Sequence, residues 1–375
     1  MLSIFLSNCK DKPDYQISED KINVELIKLP DVKKPPLTLT KLEECELKTM
    51  CKGWPWFVKT EKNNEIIVFC ANSSTTFCLY FYDGSLKFQK QHTIRSGEGP
   101  EEIAIPGYFG SVKSTEKMLI IDKSKRQFSI FDRDFKMLKR VNFENKEGFM
   151  LMPGNIGLNA DFSKILVGFQ YSIPQRRKLI NSLGWINIDN GRYKNIITRE
   201  ISNNTSKKYL MAVGIRWLIH ESYIYYLDQV NYIIIKMDFA GNPVKKIKIR
   251  TKSVKFTSGR IRKWMSNSDY KEWSLEKSSF PEQLYHPAAI IKIGNGFAVT
   301  RRLDYNPKER QWIEADYFDW DIAYKGKIKL PAYEKWNEPI FDGRKADNLF
   351  YYQSPFLYFL DVREDSSYIV KWGIN

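Results

Sequence analysis

The stretch Arg95-Ser-Gly-Glu-Gly-Pro-Glu-Glu102, followed by Met118-Leu-Ile-Ile-Asp122 and Phe128-Ser-Ile-Phe-Asp132, decides the reading of this 375-residue chain. A turn bearing glycine and proline leads into an apolar run ending in Asp, and then into an alternating run ending in Phe-Asp. Short apolar runs bounded by turn residues read as strands. Turns such as Asp83-Gly84, Asp189-Asn-Gly191 and Phe239-Ala-Gly-Asn242 tolerate positive φ and favour hairpins.

The same outline recurs along the chain. A first unit, about Cys45 to Ile94, carries Trp56–Thr60, Glu65–Phe69, Phe77–Asp83 and Leu86–Lys90; a second runs from about Glu101 to Phe143. Third and fourth units contain Ile165–Phe169 with Gly184–Asp189, and Tyr223–Asp228 with Ile233–Asp238 and Val244–Ile249. Asp83 to Asp132 and Asp189 to Asp238 are both 49 residues, and Asp122 to Asp132 and Asp228 to Asp238 are both ten. Four short strands per period of about 40–50 residues is the signature of a β-propeller. A fifth unit holds Ala288–Ile293, Gly296–Thr300 and Trp312–Asp319; the sixth holds Asn348–Tyr352, Phe356–Asp361 and Ser367–Trp372 and lacks a fourth strand. Ile22–Leu29, an isolated strand, is expected to fill that place and remove two open sheet edges at once. The reading is therefore all-β: a six-bladed propeller over 21–375, closed by an N-terminal strand, after a polar tether at 1–20.

Composition bounds the function. Hydrophobic residues make up 43% and aromatics 14%, enough for a large core. The net charge of +15 is spread over strand ends and hairpin tips, as at Lys245, Lys246 and Lys248, with no basic helix or compact basic tail. That distribution describes a solvated basic surface rather than one tracking a phosphate backbone, so nucleic acid is not an expected partner. Nor does any apolar run reach the roughly 18 residues needed to span a bilayer.

Met1-Leu-Ser-Ile-Phe-Leu-Ser-Asn-Cys9 is a short apolar run ending in Cys, and Leu6-Ser-Asn-Cys9 resembles a bacterial lipobox with Asn8 where a small residue is usual. Lipidation at Cys9 would make the lipid the only contact with the membrane, and setting Cys9 aside leaves an even four cysteines. Cys70 and Cys78 flank a hairpin connection, so a Cys70–Cys78 disulfide is one expectation and buried thiols are the other.

The Arg95–Glu102 segment, with the Tyr82–Phe88 hairpin before it and Ile120–Asp122 and Ile130–Asp132 after it, resembles the six-bladed, NHL-repeat-like β-propeller family common among bacterial lipoproteins. Glu101 and Ile103 depart from the Gly-x-Gly-Pro-Gly-Glu-Phe pattern of that loop, and the resemblance is specific only over about 80–135. It implies an exported, membrane-tethered propeller in the cell envelope, with Gly97, Gly99 and Pro100 as turn residues between blades. It carries over no catalytic residue.

The main interruption of the repeat is 254–287, where Ser258–Met265 and Ser268–Lys277 have helix-forming composition; this reads as a partly helical insertion over one face. Insertions in repeat proteins map to one face and often build a binding site. Trp264, Tyr270, Trp273, Tyr285 and His286 would form an aromatic platform suited to a sugar or peptide, or would pack the insertion onto the ring. Arg301 and Arg302 would hold an anionic ligand. His92, His220 and His286 fall in different blades without ligand spacing, so no metal and no cofactor is expected. Asp316, Asp319 and Asp321 read as a solvated hairpin-end cluster. Nucleophile-elbow, zincin and phosphate-loop patterns are absent. The expectation is a binding scaffold for a protein, peptide or glycan; the alternative is a propeller hydrolase or lyase acting on a carbohydrate or ester near the axis.

Overall fold

In a computed structural model of the chain, the residues described are 24–29, 35–47, 55–58, 65–71, 76–97, 99, 102–104, 106–112, 117–122, 125–132, 134–143, 149–151, 157–159, 162–173, 178–202, 215–229, 231–250, 254–255, 283–284, 287–301, 312–331, 349–363 and 366–375. Two N-terminal strands, β1 (Glu25–Lys28) and β2 (Leu39–Glu46), precede the repeats. Blade 1 is β3 (Trp56–Val58), β4 (Glu65–Ala71), β5 (Thr76–Asp83) and β6 (Phe88–Arg95). Blade 2 is β7 (Pro106–Val112), β8 (Lys117–Asp122), β9 (Gln127–Phe131) and β10 (Met137–Asn142). Blade 3 holds β11 (Phe149–Leu151) and β12 (Gly157–Leu158), both on β13 (Lys164–Ile173), then β14 (Lys178–Asn187) and β15 (Tyr193–Ser202).

Blade 4 is β16 (Ile215–His220), β17 (Tyr223–Asp228), β18 (Ile233–Asp238) and β19 (Pro243–Arg250). A separate ribbon of β20 (Val254–Lys255) and β21 (Gln283–Leu284) stands between blades 4 and 5 in the chain. Blade 5 is β22 (Pro287–Ile293), β23 (Gly296–Arg301), β24 (Trp312–Asp319) and β25 (Tyr324–Pro331). The last blade is β26 (Phe350–Gln353), β27 (Phe356–Val362) and β28 (Ser367–Ile374), and its fourth strand is β2.

The ring is thus six-bladed and closed by an N-terminal strand, but the strand is not Ile22–Leu29. β2 runs antiparallel to β28, pairing Leu39 with Ile374 and Glu46 with Tyr368, and mutual backbone bonds between Thr38 and Asn375 lock the seam at 3.0 Å. β1 instead adds a fifth strand, in parallel, to the outer edge of β19 in blade 4. Between the two, Leu37 packs against Gly294 of blade 5. The N-terminal segment therefore touches blades 4, 5 and 6 in succession.

Successive blades meet through apolar faces. Strand alternation sends one set of side chains to each neighbour, and burial of such residues contributes about 1.5–3 kcal/mol apiece. Between blades 4 and 5, Tyr225, Leu227, Ile234 and Ile247 pack against Ile290, Phe297, Val299 and Phe318. Toward blade 3, Trp217, Ile224, Tyr226 and Met237 meet Leu166, Leu183 and Ile196.

The outer strands carry exposed lysines, as at Lys90 of β6, or Lys325 and Lys329 of β25. Charged side chains on an edge strand discourage pairing with a second chain, which gives much of the positive charge a structural reason.

Cys70 and Cys78 stand opposite each other in β4 and β5, as the hairpin required. The expected Cys70–Cys78 disulfide is nevertheless not formed. Cys70 is disulfide-bonded, whereas Cys78 and Cys45 keep their thiols. The Cys78 sulfur turns toward β6, where Gln91 Nε2 donates to it at 3.2 Å and Thr93 Oγ1 lies at 3.7 Å.

Candidate functional site

Each blade alternates strand direction outward from the axis, so its turns fall on two faces. First-to-second and third-to-fourth strand turns share one face, called lower; second-to-third turns and the connections between blades share the other, called upper.

The lower face is built by one repeated device. Asp83, Asp132, Asp238 and Asp319 end the third strands of blades 1, 2, 4 and 5. In each, Oδ1 accepts the N–H groups two and four residues on, at 2.8–3.0 Å. The residue three positions after each Asp has positive φ: Leu86, Phe135, Gly241 and Ile322. It leans on the preceding blade. Ile322 is fully buried in the blade 4–5 seam, Phe135 stacks on His92 of blade 1 with centroids 4.0 Å apart, and a Cβ at Gly241 would stand 2.4 Å from Ile196 Cγ2.

In blade 3 the turn is one residue longer and Asn187, not Asp189, makes the bonds, so the interval from Asp189 to Asp238 joins unlike positions. Burial raises the carboxyls of Asp238 and Asp319, but hydrogen bonds outweigh it and hold both below the usual value. The bonds come from Asn242 and nearby N–H groups in one case, and from Lys325 and the Ala323 and Asp321 N–H groups in the other.

On the upper face, Asp122 and Asp228 end the second strands of blades 2 and 4, and the residue four positions on, Arg126 or Tyr232, has positive φ. Asp122 ties its own turn to the entry of the blade, accepting from Lys125 N at 3.2 Å and from Ala104 N at 2.7 Å. The Arg95–Glu102 loop is shaped the same way, by internal bonds. Glu102 Oε2 accepts from Gly99 N at 2.8 Å, and a Cβ on Gly97 would come within 2.0 Å of that oxygen, so a larger residue there would displace the Glu102 carboxylate. Arg140 Nη2 donates to the Glu102 carbonyl at 2.8 Å and Lys125 Nζ to the Gly97 carbonyl at 3.3 Å. The Arg95–Glu102 loop is a joint between blades 1 and 2.

Blades 4 and 5 bury several polar side chains toward their upper ends. Arg216, Asp228, Gln229, Thr300 and Asp316 are all buried polar residues there. Tyr232, on the upper turn of blade 4, donates to Asp316 Oδ2 across the seam. Asp316 lies opposite Val299 on the flank of blade 5 that faces blade 4, so it is not part of a solvated cluster with Asp319 and Asp321. Strand parity carried that signal: Asp316 shares its flank with Phe318. In the connection from blade 4 to blade 5, the β20–β21 ribbon pairs Val254 with Leu284 and Lys255 with Gln283, which brings the two ends of 256–282 together.

Trp264, Tyr270, Trp273, Tyr285, His286 and Arg302 lie outside the described residues, as does Cys9. Arg301 ends β23 at the upper face, its backbone opposite Pro287. His92 and His220 are separated: His92 is on the outer strand of blade 1, and His220 stacks on Trp320 at 3.6 Å between blades 4 and 5. Burial lowers both imidazoles, with Lys90 adding to it at His92, and Lys292 and Lys236 outweighing Glu221 at His220. Among the described residues no group of three His, Cys, Asp or Glu side chains converges to hold a metal, and no helix is long and apolar enough to cross a membrane.

No family model and no curated protein matches the chain. Solved structures do resemble it. A member of the DUF4221 family from Bacteroides vulgatus superposes with a TM-score of 0.58 at 12% identity, covering 90% of this chain and 98% of that one. A protein from Bacteroides fragilis described as exported gives 0.51 at 11% identity, over 94% and 99%. Likeness at these identities establishes the six-bladed propeller fold.

Proposed function

We propose that this chain is an exported propeller, lipid-anchored at Cys9 in the cell envelope, which binds a protein, peptide or glycan on its upper face above blades 4 and 5. The observation that carries the reading is the β20–β21 ribbon. It brings the ends of 256–282 together within the connection from blade 4 to blade 5, which belongs to the upper face. Trp264, Tyr270 and Trp273 belong to that insertion, Tyr285 and His286 follow the ribbon, and Arg301 ends a strand on the same face. Export is supported by the disulfide-bonded Cys70, since such bonds persist in oxidising compartments, and by the likeness to a protein described as exported.

The reading of a hydrolase or lyase needs an acid–base pair open to a substrate. Tyr232 and Asp316 are within bonding distance but both are fully buried, which favours a structural role.

The test is replacement of 256–282 by Asn-Gly, a two-residue turn that joins Lys255 to Gln283 across the ribbon. The shortened protein is expected to keep its melting temperature and to lose binding to envelope proteins and glycans. A folded deletion variant that retains all the binding of the parent would overturn the assignment of this face.

A further inference from the structure

We propose that the outer rim of blade 4 is a membrane-contacting surface that rests on an anionic lipid bilayer. Among the described residues five large hydrophobic side chains are exposed: Val24 at 41%, Leu26 at 58%, Leu42 at 54%, Leu138 at 50% and Val244 at 55%. Leu42 and Leu138 stand singly on β2 and β10, which is ordinary for a soluble surface. The other three belong to the rim of one blade.

Register places basic residues among them. Leu26 of β1 lies opposite Lys248 of β19, and Lys28 opposite Arg250. Side chains alternate along a strand, so Lys246, Lys248 and Arg250 share one flank of β19 while Ile247 and Ile249 turn into the core. On β1, Ile27 packs inward and Val24, Leu26 and Lys28 remain exposed. Glu25 is the one acidic residue of this strand.

On the other blades, lysines of the outer strand guard an open edge. Blade 4 has no need of that guard over 247–250, because β1 already pairs with β19 there. Lys248 and Arg250 therefore guard no open edge, and among the described residues no ion pair holds them. Together they form a surface that pairs with anionic headgroups while Leu26, Val24 and Val244 enter the interface. An acidic protein would pair with the lysines, but apolar side chains standing out from a strand edge suit a deformable lipid surface better than a rigid partner. In sequence, Val24 is preceded by residues 1–23, which begin with the apolar run Met-Leu-Ser-Ile-Phe-Leu. The rim is distinct from the upper-face binding site and is tested separately from it.

The experiment is co-sedimentation of the full chain carrying Cys9→Ser, which excludes any acyl chain, with vesicles of phosphatidylglycerol mixed equally with phosphatidylcholine. Binding is expected to be at least ~10-fold stronger than to pure phosphatidylcholine vesicles and to weaken as salt rises. Leu26→Asp combined with Lys248→Glu is expected to reduce partitioning ~10-fold or more, and Leu138→Asp on blade 2 to leave it unchanged. Lys246→Glu with Lys248→Glu alters only side chains on the outer flank and serves as a second variant if the first loses its fold. Equal binding by the rim variants and the parent, no preference for the anionic vesicles, or an equal loss in Leu138→Asp would each overturn the proposal.

Discussion

The Tyr232 hydroxyl of blade 4 donates to Asp316 Oδ2 of blade 5 at 2.5 Å, and both residues are 0% exposed. This bond joins two blades at the end where the chain is most elaborated. Tyr232→Phe keeps the ring and removes the donor, leaving a buried carboxylate one bond short. The expected loss is about 1–3 kcal/mol in urea unfolding. Unchanged stability would mean that this contact does not hold the seam.

Ile322 has φ 57° and is fully buried, so its position opposes backbone strain to burial. Ile322→Gly relieves roughly 1–2 kcal/mol of left-handed strain and loses about 1.5–3 kcal/mol of burial. A net destabilisation of about 1 kcal/mol is expected. Gly241→Ala, at φ 92° and facing Ile196, gains nothing in exchange and is expected to destabilise as well. Thermal melts of the two variants check both statements; a rise in Tm for Ile322→Gly would show strain to be the larger effect.

Stability should fall on acidification in two steps. His92 and His220 have folded pKa values below their ordinary 6.5, so the unfolded chain takes up protons first as pH drops below that value. The stability they contribute is complete above 6.5 and is lost as pH falls toward their folded values. Asp238 and Asp319 act with the same sign below their ordinary 3.8. Replacing both histidines by Phe is expected to flatten the upper step and leave the lower one, as read by denaturant midpoints across pH.

Closure by β2 makes a sharp distinction between two truncations. Removing residues 1–29 takes away β1 and leaves the ring closed, and a cooperative melt is expected. Removing residues 1–47 takes away the partner of β28 and opens the ring, and loss of the cooperative transition is expected. The reverse result would restore Ile22–Leu29 as the closing strand.

These contrasts show what was legible in the chain. The aspartates at 83, 132, 238 and 319 were visible because each performs the same local task, capping a turn with its own side chain. β2 was not visible, because an outer strand buries little and its sequence, Leu-Thr-Lys-Leu-Glu-Glu-Cys-Glu, has no clean apolar alternation. Only its pairing with β28 identifies it. Asp316 has acidic neighbours in sequence, whereas its environment is set by a tyrosine 84 residues away. At Cys78 the hairpin fixed the opposition to Cys70, but the direction of the sulfur depended on Gln91 and Thr93 of the next strand.

The most direct test of the binding face is site-specific photo-crosslinking in envelope extract. A benzophenone side chain is placed at Asn231 or Ser366 on the upper face, and at Ser85 or Ala240 on the lower. Adducts are expected from Asn231, above blade 4, and none from the two lower positions. Adducts from Ser85 or Ala240 with none from Asn231 would contradict it.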